Sequence, residues 1–263
     1  MKKIFVLALA LCLMATTAFA ALRGGVIYQV GPMQSLAKGG LEGSITVGEL
    51  KQHGDTGIGT FDGLNGEMIV LDGVVYQAIA DSSIVRVDDS VTVPFSNVAF
   101  FNEDFSKKLR NVSTKAELEK QLNALVEKNG RNSFYVIKLE GLFNSIHFRS
   151  EYAQKKPYPT LLKALEKDQT EFTLDNIDGT IVGLYCPAYM SGLNAVGWHF
   201  HFITADRRHG GHVMELNLKN GVASLDEVSR IEMIVPDTKE FHARDFAVDI
   251  NQEIRKAEHG NVR

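Results

Sequence analysis

The sequence predicts an α+β protein that consists of two mixed β-sheet domains with few helices, and a metal site on a β-hairpin of the C-terminal part. The first observation is a series of short runs rich in β-branched and aromatic residues, separated by glycines and turn residues. These runs lie at 25–29, 68–71, 74–78, 133–139 and 179–185. The second observation is a histidine-rich hairpin, and the third is the scarcity of helical periodicity.

Two helices have recognisable ends. Thr114 and Glu117 have the spacing of a capping box, and the apolar residues that follow share one helical face up to a stop at Gly130. A second helix is predicted at 160–166. A division near Lys155 would give an N-terminal mixed β-sheet domain at 21–155 and a C-terminal β-rich domain at 156–263. One continuous core is the alternative.

The first twenty residues have the pattern of a secretory signal peptide. Lys2 and Lys3 precede a short apolar run that ends in an A-x-A sequence at Ala20. Cleavage is expected near Ala20, followed by export to the periplasm or the medium. The run is too short to predict a membrane span, so no membrane partner is expected after cleavage.

The charge and cysteine content of the mature chain exclude some classes of protein. Removal of Lys2 and Lys3 leaves 26 basic and 32 acidic residues, a formal charge of −6. This balance gives no support for a nucleic-acid partner, which requires a basic surface. Cys186 is the one remaining cysteine, so the domain has no internal disulfide. Its apolar neighbours predict a buried side chain rather than a nucleophile.

The histidine hairpin lies at 197–213, where 17 residues contain four of the eight histidines. His199 and His201 alternate with large apolar residues, so both lie on one face of a strand. If Ala205–Asp206–Arg207–Arg208 forms the turn, His201 lies opposite His212 on the second strand. His199, His201 and His212 then form one cluster, and His209 lies outside it.

Three neutral imidazoles are a typical catalytic set for Zn²⁺, because a tetrahedral ion keeps its fourth position for water or substrate. The alternative is hydrogen-bonded histidines on a half-buried strand. The third histidine, which the hairpin places opposite the first two, favours the metal site. Iron and manganese remain open as alternatives to zinc.

Two charged residues elsewhere in the chain have apolar neighbours. Glu67 follows Gly66 at the start of the run 68–71, and, taken alone, it is better explained as a turn residue that faces solvent. Arg149 alternates with Ile146, Phe148 and Ser150. It is compatible with an anion site or with a surface ion pair.

Several segments together resemble the α-acetolactate decarboxylase family. They are "GTFDGLNGEMIVLDGVVYQ", "KLEGLFNSIHFRS", "GLYCPAYMSGLNAVGWHFHFITADRRHGGHV" and a terminal "IRKAE", which occur in the same order from about residue 30 to residue 258. The resemblance implies a two-domain zinc enzyme that converts 2-acetolactate, a 2-hydroxy-3-keto acid, to acetoin and CO₂. It also implies a homodimer.

The same resemblance implies roles for individual residues. The family's zinc ligands match the three clustered histidines, and its other active-site residues match Thr60, Glu67, Arg149 and Glu258. Glu253 is the alternative to Glu258 as the C-terminal carboxylate that folds back to the metal.

Two other functions are compatible with three histidines. In an α-carbonic-anhydrase-like zinc hydratase the third ligand would lie farther along, where this chain has Ser224. A non-enzymatic metal-binding protein would use the same histidines without needing Arg149 or Glu67.

Overall fold

The computed structural model describes residues 25–259. Within them lie 14 β-strands: β1 Val26–Val30, β2 Ile45–Thr46, β3 Thr56–Thr60, β4 Glu67–Leu71, β5 Val74–Ala78, β6 Ile84–Arg86, β7 Thr92–Val93, β8 Phe95–Ala99, β9 Phe105–Val112, β10 Phe134–Glu151, β11 Gln169–Cys186, β12 Gly197–Thr204, β13 Gly210–Val228 and β14 Arg230–Ile234. The six α-helices are α1 Met33–Ala37, α2 Val47–Leu50, α3 Lys115–Asn129, α4 Leu161–Lys167, α5 Lys239–Ala243 and α6 Asn251–His259. The predicted signal peptide lies outside the described residues.

The first sheet has seven strands in the order β14-β1-β8-β3-β4-β5-β6. Its pairs are antiparallel except β1 and β14, which are parallel, so the sheet is mixed as predicted. β14 comes from the C-terminal part of the chain and joins a sheet of N-terminal strands. β2 and β7 form a separate two-stranded sheet.

The second sheet has the order β10-β11-β12-β13-β9, and a further pairing between β10 and β13 closes four of its strands into a ring. The inside of the ring is apolar because alternate side chains of its strands point inward. Buried aromatic residues there include Phe143, Phe148, Phe200 and Phe202. The histidines of β12 alternate with these phenylalanines, so they lie on the outer face.

The chain changes from the first sheet to the second between Ala99 and Phe105, not near Lys155. β10 ends at Glu151 and pairs along most of its length with β11, which comes after the predicted division. The two sheets are therefore not separated at Lys155. The division of the chain into two domains, 21–155 and 156–263, stays a prediction.

The predicted helices are confirmed as α3 and α4. Thr114 Oγ1 accepts a hydrogen bond from Glu117 N at 3.1 Å. The Glu117 carboxylate accepts a hydrogen bond from Ser113 N at 2.8 Å. In the predicted capping box the donor would be Thr114 N, one residue later. Among the described residues, no helix is long and apolar enough to cross a membrane.

The two sheets pack against each other through an apolar cluster. Ile58 and Ile69 of the first sheet contact Val182 and Ile203 of the second. This packing covers the outer face of β12 with β4, and it places the histidines between the sheets.

Asp226, near the end of β13, is a buried carboxyl that should make the stability of the protein depend on pH. The residue is buried, and this burial raises the pKa of Asp226 from 3.8 to about 6. Because the native state binds the proton more tightly, this group's contribution to stability is complete below pH 3.8 and disappears as the pH rises through about 6. We expect Asp226→Asn to stabilise the protein above pH 7 by up to about 3 kcal/mol.

Denaturant unfolding at several pH values measures this effect. Asn102 N donates to Asp226 Oδ2, a bond that an asparagine oxygen can also accept. Asp175→Asn on the exposed part of β11 is the matched control, and it should change stability little. An Asp226→Asn variant whose stability relative to wild type is the same at pH 4 and pH 8 would show that the carboxyl ionises normally.

Candidate metal centre and active site

The three clustered histidines lie together between the sheets, as predicted. His201 pairs with His212 across the hairpin, and Thr204 N donates to His209 O at 2.9 Å, which confirms the register. His199 Nε2 lies 3.1 Å from His201 Nε2 and 3.1 Å from His212 Nδ1. The three rings are buried.

Hydrogen bonds to backbone carbonyls determine which ring nitrogen of His201 and of His212 faces the centre of the histidine cluster. His201 Nδ1 lies 2.8 Å from Met68 O, and His212 Nε2 lies 2.9 Å from Glu258 O. A carbonyl can only accept, so each of these nitrogens carries the proton. The lone pairs of His201 Nε2 and His212 Nδ1 then point toward His199. Burial also lowers the pKa of His201 and His212 well below the usual value, so both are neutral.

This donor set fits a metal ion. The three facing nitrogens lie within 4.8 Å of one another. Lone pairs that converge in a buried place repel one another unless a proton or a metal cation lies between them. Backbone carbonyls that hold the outer nitrogens of metal-bound histidines are a usual feature of such sites. Three imidazoles suit Zn²⁺ and leave a position for substrate.

Two carboxylates lie against the histidines. Glu67, the first residue of β4, has its Oε2 3.3 Å from His201 Nε2. Glu258, on α6, has its Oε2 3.2 Å from His199 Nε2. Burial, and after it the nearby carboxyl of Glu151, raises the pKa of Glu67 well above its usual value.

The environment of Glu67 corrects one expectation from the sequence. The residue is only 7% exposed, so its interpretation as a turn residue that faces solvent is wrong. The structure also separates the two C-terminal candidates, because Glu258 is buried in the cluster whereas Glu253 is exposed.

Arg149 and Thr60 line the same cavity. Arg149 is 4% exposed, which excludes the surface ion pair, and its Nη2 donates to Ala257 O at 2.6 Å. Thr60 lies opposite Glu67 on the neighbouring strand, and its hydroxyl donates to Gly66 O at 2.8 Å. All the residues proposed from the sequence are thus brought together.

One acidic residue of the cavity was not singled out from the sequence. Glu151, at the end of β10, is 2% exposed, and its Oε1 lies 3.4 Å from Arg149 Nε. Its position two residues after Arg149 places both side chains on one face of the strand. The two-residue spacing from Arg149 was the feature of the sequence that could have identified Glu151.

The cavity between these groups is small, with a volume of about 30 Å³. Its polar side is formed by the histidines, Arg149 and the carboxyls. Its apolar side is formed by Met33, Leu36, Leu64, Phe95 and Leu161. The first sheet, the ring, α1, α4 and α6 therefore all contribute side chains to this one cavity.

The sequence profile of the family described as alpha-acetolactate decarboxylase matches residues 27–248. The chain belongs to the α-acetolactate decarboxylase family. An alpha-acetolactate decarboxylase of Methanosarcina mazei is 38% identical over 89% of this chain and 80% of that protein. One from Bacillus subtilis strain 168 is 36% identical over 85% of this chain and 89% of that protein.

The fold agrees with that of a solved member of the α-acetolactate decarboxylase family. The crystal structure of alpha-acetolactate decarboxylase from Bacillus subtilis strain 168 superposes with a TM-score of 0.85 at 34% identity. The match covers 89% of this chain and 99% of that chain. Membership of this family disfavours the carbonic-anhydrase-like alternative. Ser224, the position of the third ligand in that alternative, pairs with Ser106 on β9 rather than with the histidines.

Proposed function

We propose that the protein is a zinc-dependent decarboxylase that converts 2-acetolactate to acetoin and CO₂. The observation that carries the proposal is the buried three-histidine cluster with an arginine and carboxyls in one small cavity. Membership of the α-acetolactate decarboxylase family supports the same reaction. A metal carrier would have no use for a buried cation beside its metal site.

His199, His201 and His212 would hold the ion. When bound, zinc would supply a Lewis acid that polarises the ketone and hydroxyl oxygens of the substrate. The two carbonyls that fix the outer nitrogens of His201 and His212 keep the ligand nitrogens directed at one point.

Arg149 would bind the substrate carboxylate. Its guanidinium has donors in a planar fork that matches a carboxylate. A fixed carboxylate keeps its bond to the adjacent carbon aligned with the ketone π system, so that the electron pair of the breaking bond moves toward the ketone as CO₂ leaves.

Glu67 would protonate the carbon that has lost CO₂. The raised pKa of Glu67 favours the protonated carboxyl, the form that can donate a proton to carbon. Thr60 would act indirectly, because its bond to Gly66 O fixes the backbone that precedes Glu67. Glu258 would complete the site from the opposite side.

The walls of the cavity must move to admit substrate. About 30 Å³ accommodates roughly one water molecule, and acetolactate is several times larger. α6 forms one wall and packs on α1 and α4. It contacts the site through Ala257 O, Glu258 O and the Glu258 carboxylate. We propose that α6 is displaced when substrate enters and that it excludes water when it returns.

An assay of acetoin and CO₂ from racemic acetolactate tests the proposed function. We expect purified protein to release both products in equal amounts and to lose this activity after chelation. Metal bound without any turnover would favour the non-enzymatic alternative.

Replacement of Glu67 by Gln should separate metal binding from protonation. The variant should bind zinc normally but turn over about 100-fold or more slowly, because an amide cannot give up the proton. The acetoin that it forms should have lower enantiomeric purity, since solvent supplies the proton from either face. Chiral chromatography of the product measures this. Normal rate and unchanged stereochemistry would remove Glu67 from this role and leave Glu258.

Two further features are proposals that follow from the N-terminus and from the family resemblance. We propose export after cleavage near Ala20, which mass spectrometry of the mature N-terminus tests. We also propose a homodimer, which light scattering of the purified protein tests. A mature chain that retains residues 1–20 would contradict the first proposal, and a monomer the second.

A further inference from the structure

Glu151 is a buried acid to which the proposed reaction assigns no contact with substrate, although it helps to raise the pKa of Glu67. It lines the same cavity as Arg149 and Glu67, and it is 2% exposed. A buried carboxyl is costly unless a cation or hydrogen bonds compensate it. Burial raises the pKa of Glu151, and the positive charge of Arg149 opposes that rise.

The contact between Glu151 and Arg149 is made on one edge of the guanidinium. Glu151 Oε1 lies 3.4 Å from Arg149 Nε, while Arg149 Nη2 binds Ala257 O. Among the described residues, Arg149 Nε and Glu151 Oε2 have no hydrogen-bond partner. Buried groups of this kind require an explanation, because each one left unpaired is destabilising. The guanidinium therefore has a hydrogen bond at Nη2 and a buried carboxylate beside Nε, which restrict its rotation, and its other donors stay available to a ligand.

Arg149 has a second acidic neighbour that could bind it. The charge of Arg149 also acts on Glu67. An arginine that paired with Glu67 would be lost to the substrate. A carboxylate at Nε prevents this, because it provides a partner on the edge that the substrate does not need.

We propose that Glu151 is a positioning residue that holds the Nε edge of Arg149, so that the other donors of the guanidinium bind the substrate carboxylate. This inference rests on the proposed function for the identity of the ligand. It assigns to Glu151 an effect on substrate binding that operates through Arg149, and no direct contact with the reacting carbon.

The test is a double-mutant cycle on binding rather than on turnover. The probe is 2,3-dihydroxy-2-methylbutanoate, the substrate analogue with a reduced ketone, which cannot decarboxylate. Its affinity for the zinc-loaded protein is measured by calorimetry for wild type, Glu151→Gln, Arg149→Lys and the double variant. Metal content and melting temperature are measured for each.

We expect Glu151→Gln to bind one metal ion and to weaken analogue binding about tenfold, the scale of one buried charge pair. In the Arg149→Lys background the same change should cost less than about twofold, because the group through which Glu151 acts is gone. Glu140→Gln, on the exposed part of the same strand, is the matched control and should bind like wild type.

Glu151→Asp keeps the charge on a shorter side chain, and it serves as the folded variant if Gln destabilises the protein. It should bind the analogue with an affinity between those of wild type and Glu151→Gln. If Glu151→Gln binds the analogue as tightly as wild type or more tightly, or if its cost is equal in both backgrounds, the inference is wrong. Wild-type protein that forms no acetoin would instead contradict the proposed function.

Discussion

Replacement of any one of His199, His201 and His212 by alanine is expected to remove the metal and abolish acetoin formation. Each ring contributes one of three converging nitrogens, and two ligands in a buried site do not hold zinc with comparable affinity. Elemental analysis of the purified variants measures occupancy, and the acetoin assay measures turnover.

His209→Ala is the control for this prediction. His209 lies in the same hairpin, but its Nδ1 lies 2.9 Å from Ser82 Oγ, outside the cluster. The variant should keep its metal and its activity. If His209→Ala lost the ion while His212→Ala retained it, the assignment of the ligands would be incorrect.

Arg149→Lys is expected to keep the metal and lose most activity. A lysine supplies one point charge, and it cannot bind Ala257 O, Glu151 and a substrate carboxylate at once. We expect kcat/KM to fall by about two orders of magnitude, the cost of losing a two-point charge-assisted contact.

Steady-state kinetics with metal analysis tests this prediction. Arg131→Lys is a matched control, because Arg131 forms an exposed ion pair with Glu127 at the end of α3. It should have wild-type kinetics. Near-normal kcat/KM in Arg149→Lys would mean that another group binds the carboxylate.

The metal ligands could be predicted from the sequence because they depend on local geometry. Strand alternation places His199 and His201 on one face, and the four-residue turn sets the position of His212. The start of α3 follows from local capping by Thr114 for the same reason.

The division of the sheets could not be predicted, because it depends on pairing between distant segments. β14 pairs with β1 across about 200 residues of chain. β10 is a single strand of 18 residues that pairs on both sides within the ring, although the sequence showed β-type alternation only in two separate parts of it.

The environments of Glu67 and Glu151 also depend on tertiary packing. Glu67 begins a strand after a glycine, a pattern that usually exposes a carboxylate, and only the packing of β4 on β12 buries it. Glu151 gave no signal except its spacing from Arg149. Glu258 could be placed only through the family resemblance, because α6 is far from the hairpin in sequence.

Titration of metal-free protein with Zn²⁺ tests the central claim most directly. Acetoin formation and bound zinc are measured together after each addition. We predict no activity without metal, and activity that rises in proportion to bound zinc and saturates at one ion per chain. Full activity in metal-free protein, or zinc bound at the three histidines without activity, would contradict it.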